Sequence, residues 1–512
     1  MTDTRPGGRS GPQVPRVARA VGPPGSAAVA AGSQATADAA AEVLRAGGNA
    51  VDAVIAAGLA ATVAEPGLTS LAGGGFLLSR SPAGDLTLVD FFVQTPGLDR
   101  DPALPVSDFV PVTVKFAGED QVFHAGGGAV AVPGVLAGYL TAHRALGRLP
   151  LAQVVAPARR LAERGAVIEP AQAEVLFLIG GVLRVTPPSR ALYERDGRSL
   201  AAGDRFADPD LADFLRLIAD EEVTGLTSPA FADPLMAAMA EYGGMVTRAD
   251  LAAYTVHRRE PLITEHAGAF VVTNPMPSFG GPIVIDALAA LRSRGRVAGW
   301  GDVAAALVAA TEQRRLADSE SAGVATQVSR GTTHVSVVDA DGGTAAMTTS
   351  NGSCSGVVVP GTGIQLNNML GEDDLNPGGQ HSLAPGLRMG SMMAPTVVVR
   401  PDGSVVALGS GGSKRIRSAL LAVTVRLLDR GESLADAVAA PRVHPSDGSI
   451  QVEPGHTPEA LASLGAVAPV HEWQAPNLYF GGVHAVARSA DGAVEAVADP
   501  RRGGAVALVR PA

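Results

Sequence analysis

The sequence predicts an α+β fold that combines helices with antiparallel sheets. Two observations support this class. The first half of the chain holds helical segments bounded by glycine and proline, whereas residues 334 onward alternate as short strands separated by tight turns. Tight turns join strands that run in opposite directions, so the sheets are expected to be antiparallel.

Composition limits the classes of partner. The chain has 512 residues, of which 46% are hydrophobic, enough for a large core or for two domains. Its formal net charge of −10 argues against nucleic acid or an anionic membrane as a partner. The single cysteine, Cys354, excludes a disulfide framework, and the ten histidines show no ligand spacing, so we expect no metal and no cofactor. The longest apolar stretch near the N-terminus, residues 53–64, is too short for a membrane span, and no signal peptide is recognisable, so the expected location is cytoplasmic.

The N-terminal elements follow in order. Residues 1–25 are rich in Gly, Pro, Arg and Ser without periodicity and are expected to form a disordered tail. Residues 34–46 predict a helix that ends at Gly47-Gly48, and Asn49 is placed to cap a second helix over 50–64. Residues 76–78 and 86–92 predict two strands joined by a turn at 83–85.

The rest of the chain changes from mainly helical to mainly extended. The predicted helical segments are 134–218, with breaks at Pro187-Pro188 and near Gly203, then 229–252, 283–291 and 413–430. The predicted extended segments are 260–274, the hairpins 334–339/344–350 and 393–400/404–408, and the closing strands 483–488, 494–498 and 505–509.

Three short motifs contain chemically useful groups, and each also has a purely structural explanation. Thr332 opens a strand after Gly331, a place that suits any β-branched residue. Residues 409–413, Gly-Ser-Gly-Gly-Ser, could form a phosphate cradle, an oxyanion hole or only a tight turn. Cys354 lies in a glycine-rich loop but has no patterned histidine partner, which favours a spectator thiol.

Taken together, the motifs resemble those of the gamma-glutamyltransferase family, which belongs to the N-terminal-nucleophile hydrolases. The resemblance covers nearly everything from about residue 27 to the C-terminus. The matching segments, in chain order, are Gly47-Gly48-Asn49-Ala50-Val51-Asp52-Ala53, Gly73-Gly74-Gly75-Phe76, Pro133-Gly134 with Gly138, Pro277-Ser278-Phe279-Gly280-Gly281, Thr332 to Asp339, Asn367-Asn368, Ser391-Met392, Gly411-Gly412-Ser413, Ala440-Pro441-Arg442 and Asp499-Pro500-Arg501.

The resemblance implies a four-layer αββα sandwich and a chain that cuts itself. The implied cleavage lies between Gly331 and Thr332, so that residues 26–331 form a large part and 332–512 a small part of one αββα domain. Thr332 would then be the catalytic nucleophile, with its freed α-amine as base. Gly411 and Gly412 would supply the oxyanion hole, Ser350 a hydroxyl near the nucleophile, and Asn351 a substrate contact.

Three departures from the family pattern concern the substrate. Phe92 stands where the family usually has an arginine that binds the α-carboxylate of a gamma-glutamyl group, and phenylalanine cannot pair with a carboxylate. Ser391 follows a glycine where the family usually has paired serines. The acidic segment after Asn367-Asn368 is longer, so that Glu372 or Asp373 could bind a substrate amine.

Three functions remain open from the sequence. The first is an autoprocessing amidohydrolase or acyltransferase whose substrate is a small-molecule amide and whose two fragments stay associated. The second is true gamma-glutamyl transfer and glutathione hydrolysis, with Lys414, Arg415 or Arg417 replacing the missing arginine. The third is a non-catalytic binding descendant, against which the intact Thr332-Thr333-His334 segment argues.

Overall fold

The computed structural model describes residues 16–101, 103, 109–115, 120–319, 331–372, 381–446 and 448–511. Its helices are α1 Gln34–Arg45, α2 Ala50–Ala64, α3 Val135–Leu146, α4 Leu151–Arg164, α5 Pro170–Leu178, α6 Gly180–Leu183, α7 Pro187–Tyr193, α8 Pro209–Ala219, α9 Pro229–Tyr242, α10 Arg248–Ala253, α11 Gly280–Arg292, α12 Trp300–Ser319, α13 Arg415–Asp429, α14 Leu434–Ala439 and α15 Pro458–Gly465. Within these described residues, every helix is too short or too polar to cross a membrane.

The strands belong mainly to two large sheets. They are β1 Ala18–Gly22, β2 Ala27–Ala31, β3 Gly74–Arg80, β4 Leu86–Asp90, β5 Val110–Lys115, β6 Asp120–Ala125, β7 Ala166–Val167, β8 Glu194–Arg195, β9 Arg198–Ser199, β10 Arg205–Phe206, β11 His257–Arg259, β12 Leu262–His266, β13 Ala269–Thr273, β14 Thr332–Val338, β15 Thr344–Ser350, β16 Val358–Val359, β17 Ile364–Gln365, β18 Thr396–Val399, β19 Val405–Gly411, β20 Val443–Ser446, β21 Ser449–Val452, β22 Val470–Glu472, β23 Gly482–Arg488, β24 Val494–Ala498 and β25 Ala505–Val509.

Both large sheets have seven strands. In both, every strand pair is antiparallel, as the sequence predicts. The nucleophile sheet, named for the predicted nucleophile Thr332 at the start of β14, has the order β11-β4-β3-β15-β14-β2-β25. The glycine sheet, named for the strand that ends at Gly411, has the order β1-β24-β23-β19-β18-β13-β12. Strands β14 and β15 contact β19 of the other sheet, α1 and α2 contact the nucleophile sheet, and α11 and α13 contact the glycine sheet. Buried apolar side chains fill the spaces between these elements.

Helices α1 and α2 confirm the predicted boundaries, because their ends are set by local groups. Gly47 has φ +89°, the left-handed conformation that ends a helix cheaply only in glycine. Asn49 then accepts hydrogen bonds from the first turn of α2, and the Asp52 side chain accepts one from the Asn49 backbone N–H. Every residue of α2 is buried, so this helix lies inside the protein against the nucleophile sheet.

The expectation for the N-terminal tail is wrong in part, and one expected helix break is slightly displaced. Residues 18–22, expected in the disordered tail, form the edge strand β1, which pairs with β24. Its partner lies near the far end of the chain, so no local pattern announces it; residues 1–15 lie outside the described residues. The helix break expected at Pro187-Pro188 lies just before them, between the end of α6 at Leu183 and the start of α7, which Pro187 can begin because the first turn needs no donor from proline.

Candidate active site

Thr332 begins a central strand of the nucleophile sheet and faces Ser350 across the ladder. The two residues are direct register partners on β14 and β15. The Thr332 hydroxyl donates to Ser350 Oγ at 3.3 Å, and the Ser350 hydroxyl donates in turn to the carbonyl oxygen of Gly331. A third contact, from the backbone N–H of Gly352 to Ser350 Oγ at 3.0 Å, fixes the serine. The Thr332 hydroxyl, the Ser350 hydroxyl and the carbonyl of residue 331 therefore form one hydrogen-bonded chain.

Gly411 lies against the backbone of Thr332, and the adjacent Gly412 lies against Gly481. The sequence predicts that the strand ends at residue 408, but β19 continues through Gly411 because Gly482 on β23 pairs with it. A Cβ atom on Gly411 would collide with the Thr332 carbonyl oxygen, and Gly412 has φ +119°. Both positions therefore require glycine.

A buried arginine packs on the same two glycines. The Cβ position of Gly411 lies 3.4 Å from Arg502 Nη1, and that of Gly412 lies 3.2 Å from Nη2. Burial and the neighbouring Arg415 lower the pKa of Arg502 to about 9, so the guanidinium stays mostly protonated at neutral pH. The positive charge next to Gly411-Gly412 favours the build-up of negative charge there.

A cavity of about 360 Å³, counted with the solvent at its mouth, opens beside Thr332. It brings together five of the residues predicted from the sequence: Phe92, Thr332, Ser350, Glu372 and Ser391. The other lining residues are Met369, Met392, Met393, Ser413 and Ile416. Half of the lining side chains are apolar. Glu372 is the one charged side chain among these described lining residues, so they include no cation.

Phe92 forms part of the apolar wall. Its side chain is 1% exposed, and its ring stacks on Phe76 with a centroid separation of 5.8 Å. Glycine at position 74 makes room for the ring, because a Cβ there would lie 2.9 Å from Phe92 Cδ2. The buried ring of Phe92 therefore occupies the position where the family pattern places an arginine.

Glu372 and Ser391 present polar atoms to the same cavity. Glu372 Oε1 accepts the backbone N–H of Ser353 at 2.8 Å. Ser391 Oγ accepts the backbone N–H of Met393 at 3.1 Å, which leaves the serine proton available for a ligand. Asp373, the alternative acid, lies outside the described residues.

Asn351 and Cys354 are held by the protein behind the cavity. The Asn351 side-chain amide donates to the carbonyl oxygens of Gln365 at 3.3 Å and Leu366 at 3.2 Å, and Asn351 is not among the cavity-lining residues. Cys354 is fully buried, and burial raises the pKa of its thiol to about 12. The thiol is therefore protonated at neutral pH and unsuited to be a nucleophile.

His334 is the histidine nearest to Thr332 in sequence, and both of its ring nitrogens already have hydrogen-bond partners. Its two ring nitrogens lie 2.8 Å from Thr348 Oγ1 and 2.9 Å from Ser336 Oγ. Burial, with a smaller contribution from His484, holds the pKa of His334 well below its ordinary value. A neutral imidazole bonded to two other hydroxyl groups does not serve Thr332 as a base.

The cations suggested as substitutes for the missing arginine do not line the cavity. Arg415 donates to the Tyr479 carbonyl oxygen at 2.8 Å and lies over the Tyr479 ring at 4.4 Å. Arg417 Nη1 is 3.7 Å from the sulfur of Met392, behind the wall. Lys414 is likewise absent from the described lining.

Sequence reasoning missed several parts of the site. Met369 and Met393 carry no pattern of their own. Ser413 was recognised only as the last residue of the glycine motif, and Ile416 was recognisable only as part of the apolar face of α13. Arg502 comes directly after the recognised Asp499-Pro500-Arg501 motif, and nothing in that motif indicated a role for the next residue. Among the described residues, no three His, Cys, Asp or Glu side chains are grouped to hold a metal ion.

Comparison with known proteins identifies the family of the chain. The family model for gamma-glutamyltranspeptidase matches residues 36–328 and 300–509. An acylase ACY 1 proenzyme from Pseudomonas sp. (strain SE83) is 33% identical over 90% of this chain and 89% of its own length. A glutathione hydrolase proenzyme from Escherichia coli (strain K12) is 30% identical over 90% of this chain and 88% of its own.

A solved structure shows the same fold over almost the whole length. The crystal structure of cephalosporin acylase from Bacillus halodurans matches with a TM-score of 0.79, covers 99% of each chain and is 24% identical. The family model spans most of the chain. The matches to the acylase and the glutathione hydrolase cover 89% and 88% of those proteins. The chain therefore belongs to the gamma-glutamyltranspeptidase family of enzymes.

Proposed function

We propose that the chain cuts itself between Gly331 and Thr332, and that the mature enzyme uses Thr332 to cleave an amide through an acyl-enzyme. The acyl group then passes to water or to an amine. The observation that carries this proposal is the hydrogen-bonded chain from the Thr332 hydroxyl through Ser350 to the Gly331 carbonyl oxygen. The relatives described as proenzymes support it. The four-layer αββα arrangement, the lasting association of the two fragments and the cytoplasmic location belong to the same proposal.

The geometry suits an intramolecular acyl shift. Thr332 Oγ attacks the carbonyl carbon of Gly331, the bond from that carbon to the Thr332 nitrogen breaks, and the nitrogen takes a proton to become an α-amine. Water then hydrolyses the resulting ester and leaves a carboxylate on Gly331. The hydrogen bond from Ser350 stabilises the negative charge that develops on the Gly331 oxygen during the attack.

Cleavage also creates the base that the mature enzyme needs. A free α-amine has a pKa near 7.7–8.0, so a useful fraction is unprotonated at neutral pH, and it belongs to the same residue as the nucleophile. His334 does not act as this base, because both of its ring nitrogens are paired with other hydroxyl groups. Gly411 and Gly412 would donate backbone N–H groups to the oxyanion, an effect of about 3–4 kcal/mol per donor in other enzymes, beside the charge of Arg502.

The wall of the cavity favours an acylase over a glutathione hydrolase. Phe92, three methionines and Ile416 suit an aliphatic or aromatic acyl group, and Glu372 would repel an α-carboxylate. The relative described as an acylase agrees with this reading. True gamma-glutamyl transfer is the second candidate, because a glutathione hydrolase is similar at 30% identity; it would need a cation such as Arg417 to turn into the cavity.

Denaturing gel analysis with N-terminal sequencing tests the proposal. We expect two fragments, 1–331 and 332–512, with the smaller one beginning at Thr332. Thr332→Ala should remain a single chain, because no hydroxyl is left for the acyl shift. Thr344→Ala removes a buried threonine hydroxyl at the far end of β15 and should still be cut. Intact wild-type chain after long incubation would contradict the proposal.

A further inference from the structure

Glu65 is a fully buried carboxyl group that the proposed mechanism does not use. It follows the last residue of α2 and is 0% exposed. Thr36 Oγ1 donates to Glu65 Oε1 at 2.7 Å, and Thr333 Oγ1 donates to Glu65 Oε2 at 2.5 Å. Thr333 is the residue directly after the proposed nucleophile, so the acid is one side chain away from the cleavage point.

The surrounding backbone leaves room for this contact. Successive side chains of a strand point to opposite faces, so Thr332 faces the cavity while Thr333 faces the helices. A Cβ atom on Gly32 would collide with Glu65 Oε2 and lie 3.0 Å from Thr333 Oγ1, so only glycine there permits the bond. The segment after Glu65 also flanks the cleavage point: Leu68 O accepts the Asn351 N–H at 3.0 Å, and Gly67 O lies 3.0 Å from the Cβ position of Gly331.

The charges around Glu65 make it sensitive to a new cation. Burial raises the pKa of Glu65 to about 7, the hydrogen bonds from Thr333 and Thr36 oppose that rise, and Glu169 adds to it. The phenol of Tyr139 also faces Glu65, and burial keeps it neutral by raising its pKa. In the uncut chain the nitrogen of Thr332 is a neutral amide. Cleavage turns it into an amine that becomes positively charged when protonated.

We propose that Glu65 is a positioning residue for the nucleophile: through Thr333 it holds the strand at the cleavage point, and after cleavage its carboxylate balances the positive charge of the new α-amine. This inference rests on the proposed cleavage before Thr332. During turnover the amine takes the proton of the Thr332 hydroxyl and becomes an ammonium, and a nearby carboxylate stabilises that state. Glu372 lines the same cavity as Thr332, and Arg502 lies next to Gly411; both charged groups remain unchanged in the variants below.

The test is the pH dependence of kcat/KM in cleaved Glu65→Gln. Glutamine has the same shape but carries no charge; its amide oxygen can still accept one of the two hydroxyl hydrogen bonds, and its NH2 group can donate to the oxygen of the other hydroxyl. Without the carboxylate the ammonium is less stable, so the pKa of the α-amine falls and the acid limb of the profile moves to lower pH. We expect a shift of about half a pH unit or more, equivalent to about threefold in the protonation equilibrium. Glu169→Gln, a matched loss of one carboxylate farther from Thr332, should shift the limb less.

A second pair of variants tests the connection through Thr333. Thr333→Val removes the hydroxyl that favours the charged carboxylate and should shift the acid limb in the same direction as Glu65→Gln, whereas Thr333→Ser should leave it in place. These variants decide the question even if Glu65→Gln does not fold. An unchanged limb in Glu65→Gln, or equal profiles for the valine and serine variants, would overturn the inference while leaving cleavage intact. An uncut wild-type chain would instead refute the proposed function on which it rests.

Discussion

Substrate selectivity at Phe92 is the prediction that most directly separates an acylase from a glutathione hydrolase. We expect the mature enzyme to prefer an anilide of a simple aliphatic or aromatic acid over the gamma-glutamyl anilide. The gamma-glutamyl anilide carries an α-carboxylate, which would meet Phe92, the methionines and Glu372 rather than a cation. A charge moved into such a cavity without a partner loses its hydration and gains little in return.

The structure allows the size of this effect to be worked out. Removing one partner from a buried ion pair costs about 3–5 kcal/mol. The Ser391 hydroxyl has a free proton, and a hydrogen bond to a charged group returns about 1.5–3 kcal/mol. Taking the midpoint of each range, the net penalty is about 1.75 kcal/mol, before repulsion by Glu372 adds to it. The expected preference in kcat/KM is therefore at least about tenfold to thirtyfold for the anilide that lacks the carboxylate.

The assay compares kcat/KM for the two anilides with wild type, Phe92→Arg and Phe92→Leu. The arginine variant should shift the ratio toward the gamma-glutamyl compound, because it restores a cation to the wall. Phe92→Leu loses the same stacking on Phe76 without adding charge and should keep the wild-type preference. A wild-type enzyme that favours the gamma-glutamyl anilide would refute the reasoning and assign the carboxylate to another basic residue.

Three further predictions follow from contacts at the site. Ser350→Ala should slow cleavage by about ten- to a hundredfold, because the carbonyl of residue 331 loses its donor, and a gel time course would show it; cleavage at the wild-type rate would remove Ser350 from the mechanism. Gly411→Val should lower kcat by about a hundredfold or more with a smaller change in KM, since its side chain would displace the Thr332 carbonyl; full kcat would make this glycine a packing residue only. Iodoacetamide at pH 7 should leave the folded protein unmodified, because burial raises the pKa of the Cys354 thiol to about 12; mass spectrometry would detect a carboxamidomethyl adduct if this is wrong.

The sequence predicts those parts of the fold that depend on neighbours along the chain. The cap at Asn49 and the turn at Asp402-Gly403 are set by a few adjacent residues. The structure confirms helix α2, which begins at this cap, and the β18–β19 hairpin, which contains this turn. Strand β1 is different, because Ala18 pairs with Ala498 and nothing near residue 18 indicates that partner. The extension of β19 through Gly411 has the same cause, since Gly482 supplies the pairing.

The candidate site divides in a similar way. Thr332 and Ser391, which lie in family motifs, and Phe92, which departs from the family pattern, were found from the sequence. They meet in one cavity, and their roles stay predictions. The apolar wall was not found, because Met369 and Met393 look like ordinary core residues. Glu65 was missed because its partner lies 268 positions away along the chain.

The proposed cleavage before Thr332 would divide the strands of both sheets between two fragments, and this has a consequence for how the cut protein would unfold. In the nucleophile sheet, β14 and β15 of the small part lie between β3 and β2 of the large part, and β24 of the small part pairs with β1. Once the chain is cut, separating the fragments requires breaking both sheets, so a native mature pair should survive dilution. After unfolding, however, two separate chains must find each other, and refolding becomes dependent on concentration. Uncut Thr332→Ala should refold as one chain, whereas the mature enzyme should behave as a kinetically trapped state that is reached only through its precursor.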